Sequence, residues 1–171
     1  MRNNELFAKM SKCQFGIDKV EYLRHYISGK GVETDPKKIA VITNWSVPAN
    51  QKELRSFLGL SGCYRKFIRR YAIICRPLSD FLKKNSFQWS SEAIEAFEIL
   101  KRKMSSTPVL ALPNFSLLFE IETDASSYGI GAVLLQNRHP IAFISKKLGP
   151  RWQNLSVHEK KLPAIIFAVQ K

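Results

Sequence analysis

The stretch Phe119-Glu120-Ile121-Glu122-Thr123-Asp124-Ala125-Ser126-Ser127-Tyr128-Gly129-Ile130-Gly131-Ala132-Val133-Leu134-Leu135-Gln136 carries the clearest fold signal in the chain. Phe119, Ile121 and Thr123 alternate with Glu120, Glu122 and Asp124, the period of two expected of a half-buried strand. A break containing Ser and Gly precedes a second apolar run, so strands are predicted over about 117–124 and 128–136. A turn through Asn137 and Arg138 leads to a third strand, about His139 to Ser145, and connections this short imply an antiparallel meander. The pattern carries the Asp124 carboxylate to the end of a rigid strand. There it can serve a divalent metal, or it can simply close the turn.

Downstream, Ser156 and Glu159 have the spacing of a capping box, and Leu162, Ile165, Ile166 and Val169 supply the apolar face of the helix that follows. Pro163 falls within that helix. An interior proline removes a hydrogen bond at a cost of about 3 kcal/mol, so a displaced or kinked helix is expected.

Upstream, residues 7–27 read as short strands, with Phe15 and Ile17 alternating around Gly16 and Val20, Tyr22 and Arg24 continuing the alternation. Residues 34–84 read as several short helices. The first is capped by Thr34 or Asp35 ahead of Pro36, the second starts at Asn50 with Glu53, the third begins near Leu60 and the fourth at Pro77. Another helix follows Ser90 or Ser91, with Ala93, Ala96, Phe97, Leu100 and Met104 at helical spacing. The fold class is therefore α+β: a hairpin and helical region followed by a sheet and helix.

The 27 basic and 14 acidic residues of this 171-residue chain give a net charge of +13, which favours a polyanionic partner such as nucleic acid or an acidic surface. Cys13, Cys63 and Cys75 are odd in number and widely spaced, which argues against a zinc knuckle or a secreted disulfide scaffold and for an intracellular setting. No apolar run approaches a membrane span, and no secretory signal is read at the N-terminus. Between 51 and 84, Lys52, Arg55, Arg65, Lys66, Arg69, Arg70, Arg76, Lys83 and Lys84 face only Glu53 and Asp80 in the sequence. Such a cluster suits either a solvated helix face or a phosphate-binding surface.

The run from Thr123 to Leu134 resembles the first two strands of the RNase H domain in gypsy-class LTR retrotransposon polyproteins, and the similarity extends over nearly the whole chain. Lys12-Cys13-Gln14-Phe15 and Leu23-Arg24-His25 resemble the end of the reverse transcriptase palm, with Arg24 standing where the family has glycine in a primer-positioning hairpin. Leu54-Arg55-Ser56-Phe57-Leu58-Gly59-Leu60 and Tyr64-Arg65-Lys66-Phe67-Ile68 resemble its thumb. The resemblance implies four parts: the palm end over 1–33, a thumb-like region over 34–84, a bridging segment over 85–113 and a truncated RNase H-like domain over 114–171.

It also implies site residues. Asp124 matches the family's first catalytic carboxylate and Mg²⁺ ligand, whereas Lys161 of His158-Glu159-Lys160-Lys161-Leu162 stands where the family has its catalytic glutamate. No adjacent pair of aspartates of the polymerase type occurs, and the remaining RNase H carboxylates have no counterparts. The expected parent activities are RNA-directed DNA synthesis and hydrolysis of RNA/DNA hybrids, with this chain itself inactive and without a functional cofactor. A non-catalytic nucleic-acid-binding module and a poorly folded remnant are the alternatives. The expected partners are an RNA/DNA hybrid or other nucleic acid and the remainder of the polyprotein, with Lys52, Arg55, Arg65, Lys66, Arg69 and Arg70 as the nucleic-acid contacts. No membrane partner is expected.

Overall fold

The computed structural model describes residues 7, 9–83 and 87–171. Three short strands, β1 (Lys19–Tyr22), β2 (His25–Ser28) and β3 (Gly31–Thr34), form an antiparallel meander. Leu23 and Arg24 make the β1–β2 turn, with φ of 47° and 67°, the pair of left-handed residues that a tight hairpin of this hand requires. Arg24 is thus a turn residue rather than part of the strand alternation. The glycine of the resembling hairpins has a backbone rationale at this position, since glycine takes up positive φ without steric cost. Phe15 and Ile17 lie outside the strands and are exposed, in contrast to the expected alternation, because no strand among the described residues pairs with them.

The helices begin where their caps place them. Asp35 accepts from the Lys37 amide at 2.9 Å and opens α1 (Pro36–Thr43), with the proline at a position that needs no amide donor. Asn50 accepts from the Glu53 amide at 3.0 Å and opens α2 (Gln51–Gly62), while the Glu53 carboxylate accepts from the Ala49 amide at 2.8 Å. The separate helix expected near Leu60 is instead the last turn of α2, followed by one 3₁₀ turn over Arg65–Phe67. The chain bends here because Tyr64, 0 % exposed, points under the first sheet and donates its hydroxyl to the Arg24 carbonyl at 3.1 Å. Two short helices follow, α3 (Tyr71–Ile74) and α4 (Arg76–Asp80), and then the longer α5 (Ser91–Ser105), capped by Ser90.

One core joins these helices. Ile42 of α1, Leu54 and Phe57 of α2, Leu78 of α4 and Phe97, Leu100 and Met104 of α5 are all buried in it. Each large side chain buried in this way contributes roughly 1.5–3 kcal/mol of transfer free energy. Segment 85–113, set apart in the sequence as a bridge, therefore supplies a helix to the same core.

The passage to the second sheet is pinned at several points. Leu110 exchanges backbone hydrogen bonds with Val32 (2.8 and 2.9 Å), and the Ala111 amide donates to the Pro140 carbonyl at 2.8 Å. Gly31 has φ of 130°, and a Cβ there would stand 2.2 Å from the Leu110 carbonyl oxygen, so glycine is needed for this close approach. The buried Gln136 side chain accepts from the Asn114 amide (2.9 Å) and donates to the carbonyls of Asn114 (2.8 Å) and Leu117 (3.2 Å). That clamp holds the chain in a turn, and β4 starts at Glu120 rather than at 117.

Strands β4 (Glu120–Ala125), β5 (Gly129–Gln136) and β6 (His139–Lys147) form the expected antiparallel meander, an open sheet with Asn137 and Arg138 left-handed in the second turn. A short helix, α6 (Pro150–Gln153), precedes α7 (Val157–Val169). The Ser156–Glu159 capping box is present, and α7 runs through Pro163 without a break, so the displaced start expected from the proline is not seen. The face of α7 differs from the expected one. Ala164 is 0 % and Lys160 3 % exposed, whereas Leu162, Ile165, Ile166 and Val169 are 64, 47, 48 and 70 % exposed. The small Ala164 lets the helix sit closely on Ile130 and Leu148, and Lys160 donates to the Gln153 carbonyl at 2.8 Å. Close approach and a satisfied ammonium outweigh the larger apolar stripe.

Candidate nucleic-acid interface and carboxylate site

Register fixes which way Asp124 points. Asp124 pairs with Gly131 and Gly131 with Ser145, so these residues share one face of the sheet, while Ala125 and Ile130 lie on the face covered by α7. The segment at the start of α3 lies across the Asp124 face. The Ala72 amide donates to Ser145 Oγ at 2.9 Å, and a Cβ at Gly129 would stand 2.5 Å from Ile73 Cγ1. Arg70 Cγ passes 4.0 Å from where a Cβ at Gly131 would stand, an ordinary van der Waals distance.

Arg70 crosses this face of the sheet to Asp124. It sits at the N-terminus of α3 with φ of 61°, and its Nε and Nη2 both donate to the Asp124 carboxylate, the Nη2–Oδ1 distance being 2.7 Å. This two-point geometry is the strong form of a charge-assisted hydrogen bond. The Arg70 hydrogen bonds, reinforced by the charges of Arg70 and Arg69 and opposed by partial burial, hold the Asp124 carboxyl below the usual carboxylate range. The same pairing raises the pKa of Arg70.

The RNase H resemblance implies Mg²⁺, which takes oxygen ligands in near-octahedral geometry. The residues here do not fit it. Both Asp124 oxygens face a guanidinium, and the crevice around them brings Arg69 and Arg70 together with Glu122. Among the described residues no group of three or more His, Cys, Asp or Glu side chains could hold a metal ion. Glu159 is engaged in its capping box, its carboxyl held low by the Ser156 hydrogen bonds. Lys161 is exposed on α7, the helix that covers the other face of the sheet from Asp124.

The basic cluster separates into classes that the sequence could not distinguish. Arg70 is spent on Asp124. Arg76 pairs with Glu92 and lies 4.1 Å over the Tyr128 ring, and Lys83 pairs with Asp80 at 2.8 Å. Lys84 lies outside the described residues. Lys52, Arg55, Arg65 and Arg69 are exposed and in no ion pair among the described residues, whereas Lys66 is half-buried. Lys52 and Arg55 lie with Ser56 and Gly59 on one outer face of α2, and nothing lies within 4 Å of where a Gly59 Cβ would be.

The hairpin residues are bolted to the helices. Leu23 is exposed at the tip, Arg24 Nη1 donates to Cys63 Sγ at 3.4 Å, and His25 stacks on Phe67 with centroids 5.4 Å apart. His25 Nδ1 lies 2.6 Å from the Leu23 carbonyl, which requires Nδ1 to carry the proton. Burial, with the Lys66 charge adding to it and the Leu23 bond opposing it, lowers the His25 pKa. Ser145, Gln136 and Lys160 carry structural roles that the sequence reading missed. Gln136 alone left a signal, as a polar residue ending an apolar strand.

A family model for the RNase H-like domain found in reverse transcriptase matches residues 89–171. The retrovirus-related Pol polyprotein from transposon 297 of Drosophila melanogaster is 42% identical over 167 residues, covering 96% of this chain and 16% of that protein. An uncharacterized mitochondrial protein of Arabidopsis thaliana is 47% identical over 118 residues, covering 68% of this chain and 75% of its own length. Among solved structures, the foamy viral protease-reverse transcriptase in complex with dsDNA superposes with a TM-score of 0.79 at 23% identity, covering 90% of this chain and 33% of that one. Its complex with an RNA/DNA hybrid also gives 0.79, at 22% identity, covering 89% and 21%. The chain thus spans a minor part of the polyproteins it matches, and it belongs to their family as a reverse transcriptase/RNase H-like segment of a retrotransposon polyprotein.

Proposed function

We propose that this segment grips nucleic acid and does not itself cleave it. One contrast carries the reading: Asp124 is neutralised by Arg70, while Lys52, Arg55, Arg65 and Arg69 stay exposed and in no ion pair among the described residues. Cations displayed in this way suit phosphate contacts, which set affinity and register without reading sequence. The foamy viral protein of like fold has been solved with dsDNA and with an RNA/DNA hybrid, which supports a duplex, hybrid or DNA, as the partner class. We assign 1–33 to the palm end, 34–84 to the thumb-like grip, 85–113 to its bracing segment and 114–171 to the RNase H-like part. In the parent polyprotein the activities would be RNA-directed DNA synthesis and Mg²⁺-dependent hybrid hydrolysis. The three free thiols suit an intracellular setting, and no helix among the described residues is long and apolar enough to cross a membrane.

The test is hybrid binding as a function of salt. Lys52→Gln/Arg55→Gln should weaken binding and reduce the slope of log K against log salt by about 1 to 2, close to one for each phosphate that is no longer neutralised. An unchanged slope refutes the assignment. Mg²⁺-dependent hybrid cleavage that disappears in Asp124→Asn would restore the enzyme reading.

A further inference from the structure

A groove of about 880 Å³ runs between the helical unit and β6, away from the outer face of α2. Arg65, Lys66, Lys146, Lys147 and Lys171 line it, and no Asp or Glu side chain does. Lys147 reaches Asp80 at 2.9 Å, but Arg65, Lys66 and Lys146 have no carboxylate partner among the described residues. Two of these cations lie near aromatic rings instead. Lys66 Nζ is 5.5 Å from the Phe67 centroid and Lys146 Nζ 5.7 Å from that of Phe167. Burial without a counter-charge lowers the Lys66 pKa. Several cations along one groove with no Asp or Glu side chain in its lining, in a space far larger than one phosphate, favour a ligand carrying several linked oxyanions.

We propose that this groove is a second anion site, separate from the α2 face, that takes two or more linked phosphate groups. Their source is either a nucleoside polyphosphate or consecutive phosphates of a single strand. Lys66 supplies charge from the helical unit and Lys146, its ammonium over Phe167 of α7, from the edge strand β6. A bound polyphosphate therefore ties the two parts together.

The experiment titrates the chain with tripolyphosphate, with ATP and with a short single-stranded oligonucleotide, following backbone amides by NMR. Saturable shifts confined to residues near 65–66 and 145–147 are expected. Lys66→Gln/Lys146→Gln should weaken binding at least about tenfold, whereas Lys52→Gln/Arg55→Gln should leave it unchanged. Saturation by tripolyphosphate and ATP alone identifies a free polyphosphate ligand, and saturation by the oligonucleotide identifies a strand. Shifts spread over all surface lysines without saturation overturn the proposal, a result that the wild-type chain delivers even if the double variant fails to fold. If the groove does not respond while hybrid binding still depends on Lys52 and Arg55, the groove proposal falls and the grip assignment stands.

Discussion

Arg70 and Asp124, 54 positions apart in the chain, meet in a two-point ion pair that joins the helical unit to the first strand of the RNase H-like sheet. Each was a candidate for a different external partner, phosphate for the arginine and metal for the aspartate. Each is satisfied by the other. The pair is partly exposed, so its worth is that of a well-oriented surface bridge, about 0.5–1 kcal/mol. A double-mutant cycle with Arg70→Ala and Asp124→Ala should return a coupling in that range. A coupling of zero means the ion pair does not persist in solution.

Acid should release this bridge. The folded-state pKa of Asp124 lies below its ordinary 3.8, so its contribution is complete above that value and is lost as pH falls through the lower, folded one. Urea unfolding of the wild type between about pH 4 and pH 2 should lose stability more steeply than Asp124→Asn. Parallel curves would remove Asp124 from the acid response.

His25 governs a different window. Its folded pKa is lowered from 6.5, so the unfolded state takes up a proton first. The stability it confers is present above 6.5 and declines as pH falls through that value, until the folded ring also protonates. His25→Gln should flatten the loss of stability between about pH 7 and pH 5. An identical slope in the variant contradicts a buried neutral imidazole.

Gly31 is the least replaceable turn residue. Alanine would need a left-handed backbone and would meet the Leu110 carbonyl, so Gly31→Ala should cost about 2–4 kcal/mol. Alanine at Gly59, with open space around it, should be neutral or slightly stabilising in the middle of α2. Thermal melts of the two variants would separate these outcomes.

The packing of α7 is open to the same kind of test. Leu162→Glu and Val169→Glu should each change stability by no more than about 0.5 kcal/mol. Ala164→Leu should cost about 1–3 kcal/mol by forcing the helix off Ile130 and Leu148. The reverse ranking would mean that the apolar stripe, not Ala164, faces the sheet.

Most of the local structure was legible in the order of the residues. Cap residues such as Asp35, Asn50, Ser90 and Ser156 mark helix starts because they satisfy amides within three positions. The alternation of residues 119–124 foretold the strand but not its burial, for Phe119 and Ile121 stay 40 and 44 % exposed. Pairings between distant positions came only with packing. The Gln136 clamp delayed β4, the hydroxyl of Tyr64 turned the chain after α2, and the fit of Ala164 chose the buried side of α7 against the more apolar stripe. The roles of the charged residues were settled in the same way. In the sequence Arg69 and Arg70 are adjacent and equivalent, but Arg70, at a left-handed backbone position, makes the two-point bond to Asp124, while Arg69 is in no ion pair among the described residues. Charge patterns count ionic groups, and only the packed chain assigns their partners.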